Sequence, residues 1–354
     1  MNSEKIEIRG RGFRYFAHIG SGLVSQTGTL TRELVGGERA AIITDSNIPL
    51  TIVNAVAGSL ASADFQVSKV VVPAGENAKS LIEVERICDE LASLDRSSVL
   101  VGVGGGVVGD LSGFVAAILR RGIAHVQIPT TLLAMVDSSI GGKTGVNLAA
   151  GKNLVGAFHQ PSLVIADVDA LKTLPPRELR QGYAEMVKHA IIRDRGLFDA
   201  LRDSPEATAT ADLIARNVRI KAAIIAADPS DTSGARALLN FGHTMGHGIE
   251  CASGFSLPHG ECVSLGIVAA CAISVKRAGL TSSECERVIA LLEWLGLPTQ
   301  LQAGIDRRKI LEAVARDKKF EGDLVRFVVT PRLGDACLSW DVTMRDIEEA
   351  IARL

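Results

Sequence analysis

The side chains best suited to chemistry lie in PPRELRQGYAEMVKHAII (Pro175–Ile192), RALLNFGHTMGHGIE (Arg236–Glu250) and LPHGE (Leu257–Glu261). Four of the chain's seven histidines, His189, His243, His247 and His259, fall in these stretches. Glu185 and Lys188 stand three apart, so a helix carries them on one face. His243 and His247 are spaced i, i+4, which also puts both imidazoles on one face. A carboxylate with two or three neutral imidazoles suits Zn²⁺, Fe²⁺ or Co²⁺, and an open position on the ion would make the set catalytic. The plainer reading of HTMGH is a helix start with solvated histidines.

The glycine cluster Gly102-Val-Gly104-Gly105-Gly106-Val-Val-Gly109-Asp110 offers a different chemistry. It follows an expected strand and opens an expected helix, so backbone N–H groups could receive a pyrophosphate. Gly104–Gly109 fits GxGxxG, but in a late βα unit. The acidic residue expected about 20 positions on is replaced by Ile128-Pro129-Thr130-Thr131. A nucleotide held in another way fits better than the usual dinucleotide fingerprint. Asp45, directly after a strand, could accept a ribose hydroxyl. The turn Gly75-Glu76-Asn77-Ala78-Lys79 adds a carboxylate and an amine at the same sheet edge. In open α/β sheets such carboxyl-end loops converge on one crevice.

Asp137-Ser-Ser-Ile-Gly141-Gly142-Lys143-Thr144 and Gly151-Lys152-Asn153 hold two lysines in glycine- and hydroxyl-rich sequence. GGKT looks like the end of a phosphate-binding P-loop, but the first glycine of GxxxxGK would fall on Asp137. These lysines read instead as loop-borne grips for a carboxylate or phosphate, with Arg120-Arg121 as a further candidate.

The elements that must position these groups alternate in the first half. A β-hairpin is expected around Lys5–Arg9 and Phe13–Ile19. Strands at 40–44, 67–72, 98–103, 124–128 and 163–166 then alternate with helices at 47–62, 80–93 and 109–121. That order predicts a parallel sheet wound in βα units. After Pro175-Pro176 helices dominate, at 177–192, 211–227, 236–252, 260–278, 283–295 and 307–316, with one short strand at Leu324–Val329 turning at Pro331. The expected fold class is α/β, a parallel-sheet nucleotide-binding domain (1–174) followed by a mainly α-helical metal- and substrate-binding domain (175–354).

Bulk properties agree. A chain of 354 residues exceeds the size at which one core usually stays single. Its net charge of -2 gives no reason to expect nucleic acid or an anionic membrane as partner. No apolar run approaches the roughly 20 residues that span a bilayer, and the start lacks a signal-peptide core. Six cysteines without a CxxC spacing read as reduced thiols of a cytoplasmic enzyme.

GGGVVGDLSGF, QIPTTLLAMVDSSIGGKTGVN, GKNLVGAFHQP, LKTLPPRELRQGYAEMVKHAII, RALLNFGHTMGHGIE, HGE and Asp317-Lys318-Lys319 together resemble the 3-dehydroquinate synthase family of sugar phosphate cyclases. The likeness runs from about Asp45 to Lys319, in the same order and nearly the same spacing. More distantly the chain is similar to glycerol and iron-dependent alcohol dehydrogenases, which share the two-domain plan.

The resemblance implies NAD and a divalent metal, Zn or Co, held by Glu185, His243 and His259. It thus replaces His247, which spacing alone would choose, and assigns that residue to the substrate side. For NAD it implies Asp45, Gly75, Glu76, Lys79, Gly106, Val107, Val108, Gly109, Asp110, Thr130, Thr131, Leu171, Lys172 and Thr173, with Lys143 and Lys152 alongside. For substrate and catalysis it implies Asp137, Lys143, Lys152, Asn153, Lys188, Lys221, Arg236, Asn240, His247 and one of Lys318 or Lys319, here Lys319. Arg121 would reach the phosphate from the neighbouring subunit of a homodimer. Two departures are one extra residue within Asp228–Ala235 and Ser256-Leu257-Pro258 before His259, where the family often has an aromatic side chain.

The implied activity is a carbon–oxygen lyase of the shikimate pathway acting on a sugar acid phosphate. NAD oxidises a ring carbinol, phosphate is eliminated, the same hydride returns, and the opened ring closes by an internal aldol step. Related cyclases take sedoheptulose 7-phosphate or glucose 6-phosphate, which lack the carboxylate. Lys221, Arg236, Asn240 and His247 match the dehydroquinate-type set, favouring 3-deoxy-D-arabino-heptulosonate 7-phosphate. A metal-dependent polyol dehydrogenase would need no anion grips, and a non-catalytic scaffold would not keep every ligand and base.

Overall fold

The computed structural model describes residues 3–203, 209–229, 231, 234–317, 320–321 and 324–354. Met1–Pro175 and Ala209–Ser230 form one compact unit; Pro176–Thr208 and Asp231–Leu354 form a second.

The first unit starts with the hairpin β1 (Glu4–Gly10) and β2 (Phe13–Gly20), followed by the short helix α1 (Thr27–Arg32). Then come β3 (Arg39–Asp45), α2 (Leu50–Ser62), β4 (Gln66–Val72), α3 (Leu81–Glu90), β5 (Val99–Gly104), α4 (Gly106–Ile118) and β6 (Ala124–Pro129). A second hairpin, β7 (Lys143–Leu148) and β8 (Gly151–Phe158), precedes β9 (Leu163–Asp167). The seven-stranded sheet runs β1-β2-β9-β6-β5-β3-β4, parallel except for the β1 edge. β5 is buried at every position, as expected for a central strand covered on both faces. Leu100, Val108, Leu111 and Val115 fill one side of the sheet, while Ile42, Val101, Val126 and Ile165 fill the other.

The second unit begins with α5 (Pro176–Arg193) and α6 (Arg195–Asp203). Pro176 occupies the first helical turn, where its missing N–H costs nothing. The chain then returns to the first unit for α7 (Ala211–Ala227), which packs on β1. The second unit resumes with α8 (His243–Ala252), α9 (His259–Arg277), α10 (Ser282–Trp294) and α11 (Arg307–Asp317). It ends with β10 (Phe320–Glu321), β11 (Leu324–Arg332), β12 (Asp335–Thr343) and α12 (Met344–Ala352).

Four expectations need correction. A single cut at residue 174 misplaces α7, which belongs with the first unit. The helical half also holds a three-stranded sheet, β10-β11-β12, where one short strand was expected. The lysines of GGKT and GKN lie on the paired strands β7 and β8, not in loops. Gly145 opposes Gly156 there, and a Cβ on Gly156 would sit 2.1 Å from the Thr144 carbonyl oxygen. The glycines therefore serve close strand contact rather than a turn. Finally, the helix expected over 236–252 breaks at Gly242, whose φ is 77°. A 3₁₀ turn, Ala235–Asn240, precedes the break and α8 follows it.

α9 is long and apolar enough to meet the criterion for a membrane span, but 72% of that window is buried inside the protein. It is the core helix of its unit. All six cysteines are free thiols.

Candidate active site

In the first unit, β5 delivers Gly104 to the sheet edge, Gly105 caps α4 without a side-chain bond, and the helix opens at Gly106. The open N-terminus therefore presents backbone N–H groups and positive dipole. A Cβ on Gly105 would stand 3.1 Å from the Thr131 methyl, and one on Gly106 3.1 Å from Ser138 Oγ. Thr130 is buried at the end of β6, and its hydroxyl has no partner among the described residues. An orphaned hydroxyl beside an uncapped helix start fits a phosphate-bearing cofactor.

Lys79 is buried and donates to the Asp110 carboxylate at 2.5 Å and also to Asn153 Oδ1. Burial pushes the Asp110 carboxyl up, and the Lys79 ammonium pulls it back. Asn147 extends the network, donating to Glu76 Oε1 at 2.8 Å and accepting from the Asn153 N–H at 2.9 Å. Sequence reasoning missed Asn147. Its signal was a polar residue inside a strand-like KTGVNL run.

Asp45 accepts from the Asn47 N–H at 2.8 Å, and burial raises its carboxyl against that bond. Gly75 sits at φ 97°, ahead of the turn carrying Glu76. Val107 and Val108 form the first turn of α4 with Gly106, Gly109 and Asp110. Leu171, Lys172 and Thr173 share a 3₁₀ turn, where Thr173 bonds the Ala170 carbonyl and exposed Lys172 pairs with Asp169. Lys143 is exposed and Lys152 half-buried. Buried Lys221, carried by α7, bonds Asp137 through its carboxylate at 2.8 Å and its carbonyl at 2.6 Å. Arg121 stands exposed after α4 with φ 64°.

In the second unit, α5 brings Glu185 and Lys188 into direct contact, and both are buried. His243 opens α8 and His259 opens α9. Their Nε2 atoms face Glu185 Oε1 at 3.3 and 3.6 Å. The three ligand atoms lie within 4.8 Å of one another and could hold a metal ion. Burial would raise the Glu185 carboxyl, but Lys188 and His243 hold it well below the usual range. Burial alone would lower His259; the neighbouring Glu185 and Glu250 carboxylates push it up to about 9. A metal would replace that proton, as an ionised carboxylate and two imidazole nitrogens form a Zn²⁺ donor set.

The support of the rings fits too. His243 Nδ1 lies 3.2 Å from the Phe241 carbonyl, and His259 Nδ1 lies 3.4 Å from Glu250 Oε1. Such contacts turn the other ring nitrogen toward an ion. His247 stands beside both, with ring centroids 5.4 Å from His243 and 6.2 Å from His259. Arg236 is buried in the 3₁₀ turn that Asn240 ends. Lys318 and Lys319 lie outside the described residues.

The 3-dehydroquinate synthase N-terminal family model matches residues 69–181, and the C-terminal model matches residues 182–320. The chain belongs to the 3-dehydroquinate synthase family. It is 46% identical to the 3-dehydroquinate synthase of Symbiobacterium thermophilum over 340 residues, covering 93% of this chain and 95% of that one. It is 42% identical to the 3-dehydroquinate synthase of a Synechococcus species, with 96% of each covered. Among solved structures, ValA, a 2-epi-5-epi-valiolone synthase from Streptomyces hygroscopicus subsp. jinggangensis with NAD⁺ and Zn²⁺ bound, superposes with a TM-score of 0.84. That match has 30% identity and covers 96% of each chain. The expected α/β architecture with a helical second half is therefore the fold of this family's neighbours.

Proposed function

We propose that the chain is a 3-dehydroquinate synthase that converts 3-deoxy-D-arabino-heptulosonate 7-phosphate to 3-dehydroquinate and phosphate, using NAD and a divalent zinc or cobalt ion. The observation that carries this reading is the buried Glu185 carboxylate faced by the Nε2 atoms of His243 and His259, in a chain whose curated relatives are dehydroquinate synthases.

When bound, NAD supplies a reversible hydride acceptor and the metal a Lewis acid for adjacent substrate oxygens. The remaining work falls to this chain. Asp45, Gly75, Glu76, Lys79, the α4 start, Thr130, Thr131 and the 171–173 turn hold the dinucleotide. Glu185, His243 and His259 hold the ion. Lys143, Lys152, Asn153, Arg236 and Asn240 grip the carboxylate and phosphate, fixing one orientation through successive steps. Asp137 and Lys221 act as the bonded pair described above. Lys188 and His247 hold or move protons beside the metal set, and the substrate's own phosphate serves as base in its elimination. Lys319 supplies a further substrate cation.

The reading includes a cytoplasmic homodimer. The exposed Arg121 suits a role in a neighbouring subunit's phosphate site.

The test is metal content and activity together. Chelation should abolish phosphate release, and added Zn²⁺ or Co²⁺ should restore it. His259→Ala should lose far more metal than His247→Ala. Equal losses would contradict this ligand set.

A further inference from the structure

We propose that Glu250 is a positioning residue for the metal site, holding the His259 ring by Nδ1 so that Nε2 is directed at the ion. The inference deepens the proposed function and rests on Glu185, His243 and His259 as ligands. Glu250 Oε1 lies 3.4 Å from His259 Nδ1, while Nε2 of the same ring lies 3.6 Å from Glu185 Oε1. Glu250 is 6% exposed, and carboxylates are seldom so buried unless paired.

Its place on the helix explains the contact. Glu250 follows His243 by seven residues on α8, nearly two full turns, so both project from one face. α8 thus carries one ligand and the support for the ligand on α9. The two rings are held by different means: a backbone carbonyl faces His243 Nδ1, and a carboxylate faces His259 Nδ1. His259 begins α9 directly after Pro258, so its ring is approached by the Glu250 carboxylate from the neighbouring helix. Gln181 helps by accepting the Gly260 N–H at 2.7 Å, fixing the backbone beside the ring.

The experiment uses the full chain freed of metal, with Zn²⁺ and Co²⁺ affinities measured by chelator competition and the Co²⁺ visible absorption recorded. Loss of such a support typically weakens metal binding by about 10–100-fold. Glu250→Ala should lie in that range and change the Co²⁺ bands. Glu250→Gln keeps an acceptor of the same shape and should bind more weakly than wild type but better than Glu250→Ala. Glu261→Gln removes a charge from the first turn of α9 that pairs with Arg177 and should bind as wild type. Wild-type affinity and an unchanged Co²⁺ spectrum in both Glu250 variants would overturn the proposal. If Glu250→Ala does not fold, Glu250→Gln decides alone, and no loss there overturns it. Retained metal in His259→Ala would instead overturn the ligand reading beneath it.

Discussion

Lys79 donates its buried ammonium to the Asp110 carboxylate at 2.5 Å, fastening the start of α4 to the turn after β4. The same ammonium reaches Asn153, so the β7–β8 hairpin is tied in as well. Removing one member of a buried ion pair strands the other charge and costs about 3–5 kcal/mol. Asp110→Ala should therefore lower stability by about 3 kcal/mol and weaken NAD binding. Lys79→Met in the same chain should recover part of the stability but none of the NAD affinity. Urea unfolding and NAD titration read the two effects, and unchanged stability in Asp110→Ala would contradict the pairing.

Gly266 lies against Gly242. A Cβ at Gly266 would fall 1.9 Å from the Gly242 carbonyl oxygen, and backbone cannot turn aside as a side chain can. Alanine is otherwise the better helix residue by about 1 kcal/mol, so helix propensity and packing predict opposite signs. Packing should win. Gly266→Ala should destabilise by about 1–3 kcal/mol and lower metal occupancy, because His243 directly follows Gly242. A stabilised variant with full metal would refute the close approach.

His125 is fully buried on β6, its Nε2 3.0 Å from Ser112 Oγ. Burial, helped by His159, pushes its pKa down to about 3 from an ordinary 6.5. The unfolded chain thus binds a proton that the folded chain refuses between those values. Stability from the neutral ring is complete above pH 6.5 and is lost as pH falls toward 3, at up to about 1.4 kcal/mol per pH unit. Between pH 6.5 and 5 the loss should be about 2 kcal/mol. His125→Asn should remove that part of the slope in urea unfolding. The same slope in both proteins would mean the ring is not buried and neutral.

Sequence periodicity made β3 to β6 and β9 legible because each is a short β-branched run whose side chains meet a helix. Gly104, Gly105 and Gly106 stood out as a strand end opening a helix, and they do open α4. Other features were hidden for physical reasons. Gly145 and Gly156 look like loop residues until one sees that two backbones meet there. Spacing alone favoured His247, the neighbour of His243 on one helix. The structure brings His259, from the next helix, to Glu185. Glu250 gave no signal at all, because its partner is nine residues on, across a helix break.

The proposed substrate choice assigns the carboxylate grip to Arg236, which is 3% exposed. Truncating a buried charge contact commonly costs about 2–5 kcal/mol, and a lysine does not reproduce the guanidinium fork. Arg236→Lys should reduce kcat/KM for the carboxylated heptulosonate phosphate by at least about tenfold, since 1.4 kcal/mol is one decade. Sedoheptulose 7-phosphate should be a poor substrate of the unaltered chain. Faster turnover of that sugar than of the heptulosonate would assign the chain to another cyclase activity.

In the proposed reaction NAD is borrowed and returned within one turnover. Phosphate release and absorbance at the NADH band should be followed together, with the heptulosonate phosphate in large excess over a trace of NAD⁺ and with Zn²⁺ or Co²⁺ present. Many equivalents of phosphate per NAD and no accumulating NADH are expected. One NADH formed for each substrate consumed, with no phosphate released, would contradict it and make the chain a dehydrogenase.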